Sequence, residues 1–334
     1  MASGPGTLLV DTAQPADVAT VMRAATDTLR SRVGIGPVFL ASADPSTGAF
    51  TGTFTFDIPD EAAAAFFEIE MTGRDVVSFR TLAEGPTPVG SLFAATDGEP
   101  RRSTRWREVI TPLGWGDELR AAIRADGSTW GYLCLHREAN DRPFRERDLV
   151  RLTSVLPLLV GALRRAALGA TTEPGRLGAG VVVVDQHGRI AGATGSADAW
   201  LDELGPASHG GLPLLVAGLA KLVLDSGAPA TSTLATRAGR LGTVEAALLD
   251  GTAEPQVAVV ISEAAPERRF EQLAAATTLT ARERQVVMCV LDGMSTRAIA
   301  DELTISQRTV QAHLTSVFTK TGVRSRRALI TRLH

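Results

Sequence analysis

A chain of 334 residues with 44% hydrophobic and 21% charged residues has enough apolar mass for two or three separately packed units, and it is not a disordered polyelectrolyte. Its net charge of −3 is unevenly held: residues 267–334 carry +5 and leave −8 upstream, so a polyanionic partner is expected at the C-terminal end. Two cysteines far apart, Cys134 and Cys289, exclude a disulfide framework and a cysteine zinc site.

The opening MASGPGTLLVDTAQ has neither a basic flank nor an apolar core, so no signal peptide is read there. The longest apolar run, LTSVLPLLVGAL, is 12 residues, too short for a bilayer. A cytoplasmic protein without membrane contact is expected. Pro15 starts a first helix with Val18, Val21, Met22, Ala25 and Leu29 on one face. PVFLAS and GTFTFDI flank the turn-rich ADPSTGAF, which predicts a hairpin. DEAAAAFFEIEM reads as a helix, and GWGDELRAAIRADGSTWGYLCLHRE as two strands joined at ADGS. Pro143 opens a long helix through about Ala167. In it Leu149, Leu152, Leu156, Leu159 and Leu163 form a heptad seam, buried on the adjoining sheet or used for a dimer. Pro157 is expected to kink or break it.

Residues 169–180 read as a linker. GVVVVDQHGRIAGA then predicts a strand, a tight turn and a strand. SADAWLDELG and LPLLVAGLAKLVL look helical, RLGTVEAALLD and PQVAVVIS look like strands, and EAAPERRFEQLAAATT is a helix-prone connector. No internal repeat of fixed period is present.

Signals sharpen after the connector. Thr280 followed by Glu283 is a capping box, with Val286, Val287, Val290 and Leu291 as the apolar stripe and Gly293 as the stop. Ser295 caps TRAIADEL, whose Ile299, Ala300 and Leu303 point inward, and TIS makes a tight turn. Ser306 caps a third helix with Val310, Leu314 and Val317 inward. Gly322 ends it, and Ser325 caps RRALITRL. Gln307, Arg308, Gln311, Ala312 and Thr315 are then left outside. Glutamine can bond adenine bidentately, and alanine or a threonine methyl can meet the thymine methyl. Arg308, Lys320, Arg324 and Arg326, with the Ser306 and Thr309 hydroxyls, are positioned for phosphates. His313 reads as partly buried or near a phosphate, and not as catalytic.

The segment LTARERQVV … ISQRTVQAHLTSVFTKTGVRSR resembles the LuxR-type (FixJ/NarL-type) helix-turn-helix domain. The stretches GRDVVSFRTLAEGPTPVGSLF, WGYLCLHRE and PFRERDLVRLTSVLPLLVGALRRA resemble GAF sensor domains attached to actinobacterial regulators of that type. GVVVVDQHGRIAGATGSADAWL resembles the start of a degenerate PAS domain. The resemblance implies a multidomain chain: an α+β GAF-like sensor and dimerisation domain at 1–168, an α+β PAS-like domain at 176–262, and an all-α, four-helix DNA-binding domain at 266–334. It implies a homodimeric one-component transcriptional regulator that binds double-stranded DNA, works with RNA polymerase and responds to a small apolar effector. Phe54, Phe56, Phe79, Phe93, Trp106 and Trp115 are the candidate ligand-pocket residues. The RRSTRWR cluster, 101–107, reads as a surface loop or as a clamp for a carboxylate. The alternatives are a ligand-free dimeric factor with upstream scaffolds, a haem sensor using His136, or a phosphoacceptor at Asp185. No Walker loop, metal-ligand cluster or nucleophile–base set is present, so no catalytic residue, metal or cofactor is expected.

Overall fold

The first unit is an antiparallel sheet with helices on both faces. The computed structural model describes residues 18–73, 75–169, 177–204, 211–236 and 240–333, so the helix start at Pro15 and most of the 169–180 linker lie outside the described residues. After α1 (Val18–Val33) come β1 (Val38–Ala43), β2 (Phe50–Phe56), β3 (Val89–Ser91), β4 (Trp115–Ala125) and β5 (Ser128–Glu138), in the sheet order β2-β1-β5-β4-β3. Strand alternation sorts the side chains. Val38, Leu40, Leu119, Leu133 and Leu135 face α1 and the long helix α5 (Glu146–Gly169). Phe39, Ala41, Tyr132 and Cys134 face α2 (Asp60–Thr72) and α3 (Phe79–Glu84), and the short α4 (Leu92–Ala95) follows β3.

Two expectations about α5 resolve here. Leu152, Leu156, Leu159 and Leu163 of the seam are buried against α1 and the sheet, so this chain's own elements cover it. The helix outer face instead shows Val150 and Leu158. Pro157 does not break it: α5 runs as one helix through that position. The proline is on the exposed side, as is Thr153, whose carbonyl loses its i+4 donor but can bond water.

The second unit repeats the plan. β6 (Gly180–Val184), β7 (Ile190–Ala193), β8 (Ala230–Ala235), β9 (Leu241–Leu248) and β10 (Val257–Glu263) assemble as β7-β6-β10-β9-β8, which is the first sheet's order strand for strand. α6 (Gly195–Leu204) and α7 (Leu214–Ser226) accompany it. Asp185 sits in the β6–β7 turn, where its Oδ1 accepts from the backbone N–H of His187 (2.8 Å) and Arg189 (2.9 Å). Its carboxylate is a turn-former, which removes the reason to read it as a phosphoacceptor.

The two units share one apolar core, with α2 against α7 and β2 beside β8. Gly218 of α7 makes that approach possible: a Cβ there would stand 2.0 Å from Cε1 of Phe67. The helix accepts a residue of poor helix propensity because no larger one fits.

The C-terminal helices are α8 (Pro266–Ala276), α9 (Ala281–Leu291), α10 (Thr296–Glu302), α11 (Gln307–Thr321) and α12 (Arg326–Leu333). Val286, Val290, Ile299, Val310, Leu314, Val317 and Leu329 form their core, and α8 adds Phe270 and Leu273. Arg332 of α12 donates to the carbonyl of Leu168 at the end of α5, and to Thr321 O at 2.7 Å. The α10–α11 turn holds Thr304 at φ +53°, a left-handed conformation that costs a β-branched residue about 1–3 kcal/mol. Thr304→Gly is expected to stabilise these helices by about 1 kcal/mol, once the greater chain entropy of glycine is subtracted. Amide exchange in α11 should slow about fivefold; no change would mean the turn is unstrained. No helix among the described residues is long and apolar enough to cross a membrane.

Candidate nucleic-acid interface

Side-chain caps fix the start of each C-terminal helix that could meet a nucleic acid. The Thr280 hydroxyl accepts from Glu283 N–H (3.3 Å), while the Glu283 carboxylate accepts from Thr280 N–H (2.7 Å). Ser295 accepts from Ala298 N–H, Ser306 from Thr309 N–H and Ser325 from Ala328 N–H, at 3.2, 3.1 and 3.1 Å. Gly322 closes α11 at φ +72° with its N–H on Phe318 O. With Val310, Leu314 and Val317 buried, Gln307, Arg308, Gln311, Ala312 and Thr315 are all exposed on the opposite face. The Thr315 hydroxyl bonds back to Gln311 O (3.0 Å), which leaves its methyl as the free end. The Gln311 amide reaches Thr296 Oγ1 on α10 at 3.4 Å, a long bond that a stronger partner can replace. The hydroxyls of Ser306 and Thr309 lie 2.8 Å apart at the head of α11, and His313 is half-buried.

The cations divide into two groups. Arg308 and Arg324 are exposed and make no ion pair among the described residues; the same is true of Arg297 and Arg327. Sequence reasoning did not single out Arg297. The available signal was its place in the first turn of α10, where the helix dipole disfavours a cation unless an anion lies beyond it. Lys320 and Arg326 differ from the expectation that they face phosphates. The Lys320 ammonium is bound to both oxygens of Glu283, at 2.9 and 2.7 Å, and Arg326 donates to the Met294 carbonyl before α10. Burial alone would push the Glu283 carboxyl up, but hydrogen bonds from Lys320, Ser316 (2.6 Å) and Thr280 outweigh it and hold its pKa down at about 2.

The six candidate pocket aromatics do not come together. Phe79 alone of them borders a cleft of about 670 Å³ between the two α+β units, beside Phe67 and beside Phe50 and Tyr132, the last two of which the sequence reading did not name for the pocket. The reason is a bulge. Ala43 pairs with Phe50 and Ser42 with Gly52, so Thr51 is an extra residue and reverses the facing of the strand. Phe54 and Phe56 therefore pack on the α1/α5 side, away from the cleft. Trp106 and Trp115 form a separate cluster with Leu92 and Ile110, and Phe93 lies half-buried on the short helix Leu92–Ala95.

Behind the cleft lies a buried ionic network. Arg105 is 1% exposed, so the expectation of a surface loop fails at this member of RRSTRWR. Its guanidinium meets Glu118 at 2.7 Å and Asp75 at 3.1 Å. Arg120 meets Glu70 at 2.7 Å, donates to Cys134 Sγ at 3.1 Å and stacks 3.8 Å over the Phe79 ring. Burial pushes Glu118 up, but Arg105, Arg120 and His136 hold it well below the usual carboxylate range. Burial also raises the Cys134 thiol. His136 has Nδ1 3.2 Å from Pro37 O, Nε2 3.5 Å from Glu118 and the Trp115 ring 4.4 Å away. Both nitrogens face protein groups inside the core, which corrects the haem-ligand reading. Among the described residues no group of His, Cys, Asp or Glu side chains could hold a metal.

Residues 277–333 match the family described as bacterial regulatory proteins, luxR family. A protein from Mycobacterium bovis named as an HTH-type transcriptional regulator is 49% identical over 53 residues, which is 16% of this chain and 6% of that protein. The monoamine regulon transcriptional regulator of Klebsiella aerogenes is 46% identical over 54 residues, 16% of this chain and 24% of its own length. The chain therefore spans only a small part of these relatives. Among solved structures, a GAF domain/HD domain protein from Geobacter sulfurreducens aligns with 48% of this chain and all of its own, at 14% identity and TM-score 0.36. The phage VqmA–DPO complex aligns with 46% of this chain and 78% of its own, at 18% identity and TM-score 0.23. The C-terminal segment of this chain, residues 277–333, is a helix-turn-helix domain of the LuxR family of bacterial regulatory proteins.

Proposed function

We propose that this chain is a one-component transcriptional regulator. Its LuxR-type domain (266–334) reads double-stranded DNA with α11, and its GAF-like (1–168) and PAS-like (176–262) units adjust that binding in response to a small apolar effector. The observation that carries the reading is the outer face of α11, where Gln307, Arg308, Gln311, Ala312 and Thr315 stand exposed while the caps and apolar stripe hold the helix in place. The surrounding +5 segment supplies the attraction to phosphate. The common strand order of the two upstream sheets supports paired sensor-type units. Two copies would engage half-sites about 10 bp apart or multiples of that. Val150 and Leu158 on the open face of α5 are the surface for pairing, in place of the buried heptad seam.

Selection of DNA from a random library by the full chain tests this. An enriched, two-fold-related motif is expected, and Gln311→Ala should cost about 1–3 kcal/mol at that motif and relax preference at one base position. Binding to random DNA should be nearly unchanged. Equal losses on selected and random DNA would show that Gln311 is not a base reader.

A further inference from the structure

The cleft between the two α+β units has a floor, a rim and a connection to the DNA-binding domain. The floor is aromatic: Phe50, Phe67, Phe79 and Tyr132. Their rings are already fixed to one another, with Phe79–Tyr132 centroids 4.8 Å apart and Phe50–Tyr132 5.0 Å in a T-shaped contact. Leu215, Leu219 and Leu222 of α7 form the opposing wall, and hydroxyls of Ser46, Thr129, Thr231 and Ser232 lie around the rim. At about 670 Å³ the cleft is in the size range of small-molecule sites, which lie preferentially between domains.

The charges in the lining are already matched. Glu70 accepts from Phe79 N–H (2.7 Å) and from Arg120 (2.7 Å), so both its oxygens are engaged. Arg80 and Glu84 pair with each other at 3.1 Å on the exposed lip. An ion entering the cleft would lose hydration without gaining a partner, whereas a neutral ring would bury its apolar surface against the floor and the α7 leucines and gain a hydrogen bond at the rim.

One wall of the cleft also touches the helix that leads to the DNA-binding domain. The turn 44–49 closes on itself through Gly48 N–H to Asp44 O (2.7 Å), and Tyr132 of the floor donates to Gly48 O (2.7 Å). On its other side, Arg268 of α8 donates to Ser46 Oγ (3.4 Å) and lies 4.0 Å from the Asp44 carboxylate. α8 packs on α9 and α12 and gives Phe270 and Leu273 to their core.

We propose that this cleft is the effector site, that it takes an uncharged aromatic molecule bearing a hydroxyl or carbonyl group, and that the 44–49 turn passes its occupancy to α8 through Arg268. The site and its ligand class stand on the cleft alone; the regulatory role rests on the reading of the chain as a DNA-binding regulator. Occupancy stiffens the Tyr132–Gly48 contact and the turn, and Arg268 carries that constraint to the helix on which the DNA-binding domain is mounted.

The test uses the full chain with 2-naphthol as the neutral probe and 2-naphthoate as its charged counterpart. 2-Naphthol is expected to bind at least about tenfold more tightly than 2-naphthoate. Thr231→Trp, a change at an exposed rim position that fills the cleft, should weaken 2-naphthol by about tenfold or more with secondary structure unchanged. Hydrogen exchange on saturation should slow in residues 44–49 and 266–276 of the wild type, and only in 44–49 of Arg268→Ala. Absent 2-naphthol binding, equal binding of 2-naphthoate, or indifference to Thr231→Trp would overturn the site. Equal slowing at 266–276 in Arg268→Ala would overturn the route. DNA selectivity is measured on the same samples: its absence alongside intact cleft binding refutes the regulator reading and leaves the site standing.

Discussion

Arg105→Met is expected to destabilise the first α+β unit by about 3–5 kcal/mol. The substitution leaves a side chain of similar length in a well-packed place but removes the cation between Glu118 and Asp75. Glu118 is fully buried, and of its neighbours Arg120 stands 3.8 Å away and is already bound to Glu70. The carboxylate must then either stay charged at high cost or take up a proton. Asp75 keeps its backbone partners, Thr104 N–H (3.2 Å) and Arg105 N–H (2.9 Å), so the loss is concentrated on Glu118. Adding Glu118→Gln to Arg105→Met should therefore recover more than half of the lost stability, because the uncompensated charge is gone. Urea unfolding followed by tryptophan fluorescence reads this, since Trp106, Trp115 and Trp130 all lie in this unit. A cost under about 1 kcal/mol for Arg105→Met, or no recovery in the double variant, would mean that the network does not hold the unit together.

How far the sequence foretold the molecule depended on whether the signals were local. Thr280, Ser295, Ser306 and Ser325 cap their helices as their spacing indicates, because a cap needs only residues three apart in the chain. The outward face of α11 follows from helical periodicity in the same way. The repeated strand order of the two upstream sheets leaves no repeat in the sequence, since a fold constrains which faces are apolar and not which residues supply them. The pocket aromatics fail as a group for a definite reason. Residue type marks Phe54 and Phe56 as well as Phe50, but one extra residue at Thr51 turns the first two to the other face. A bulge of that kind carries no composition signal. Arg105 and Lys320 are a third case: a basic residue in a polar stretch reads as solvated, and its buried carboxylate partners stand 13 to 37 residues away in sequence.

The Lys320–Glu283 pair makes the last prediction separable from DNA binding. Glu283 is 3% exposed and joins the head of α9 to the C-terminal half of α11 through Thr280, Ser316 and Lys320. Its pKa falls from an ordinary 4.5 to about 2 on folding, which corresponds to roughly 3 kcal/mol of stability. Because the folded value is the lower one, that stability is fully present above about pH 4.5 and is lost as pH falls through about 2. Glu283→Gln should remove it at neutral pH and flatten the dependence over this window. All four tryptophans and the one tyrosine lie upstream of residue 277, so amide exchange in α11 is the readout, with protection expected to fall about a hundredfold. Lys320→Ala should also reduce α11 protection, since it leaves Glu283 with one fewer partner. Its effect on DNA should carry little change in salt dependence, because the ammonium is already neutralised by Glu283. Arg308→Ala, with an exposed guanidinium free of ion pairs among the described residues, should leave α11 protection intact and lower the salt slope by about one. If Lys320→Ala instead lowers the slope by as much as Arg308→Ala while still reducing α11 protection in the free protein, Lys320 leaves Glu283 for a phosphate when DNA binds, and the pair is a feature of the free protein alone.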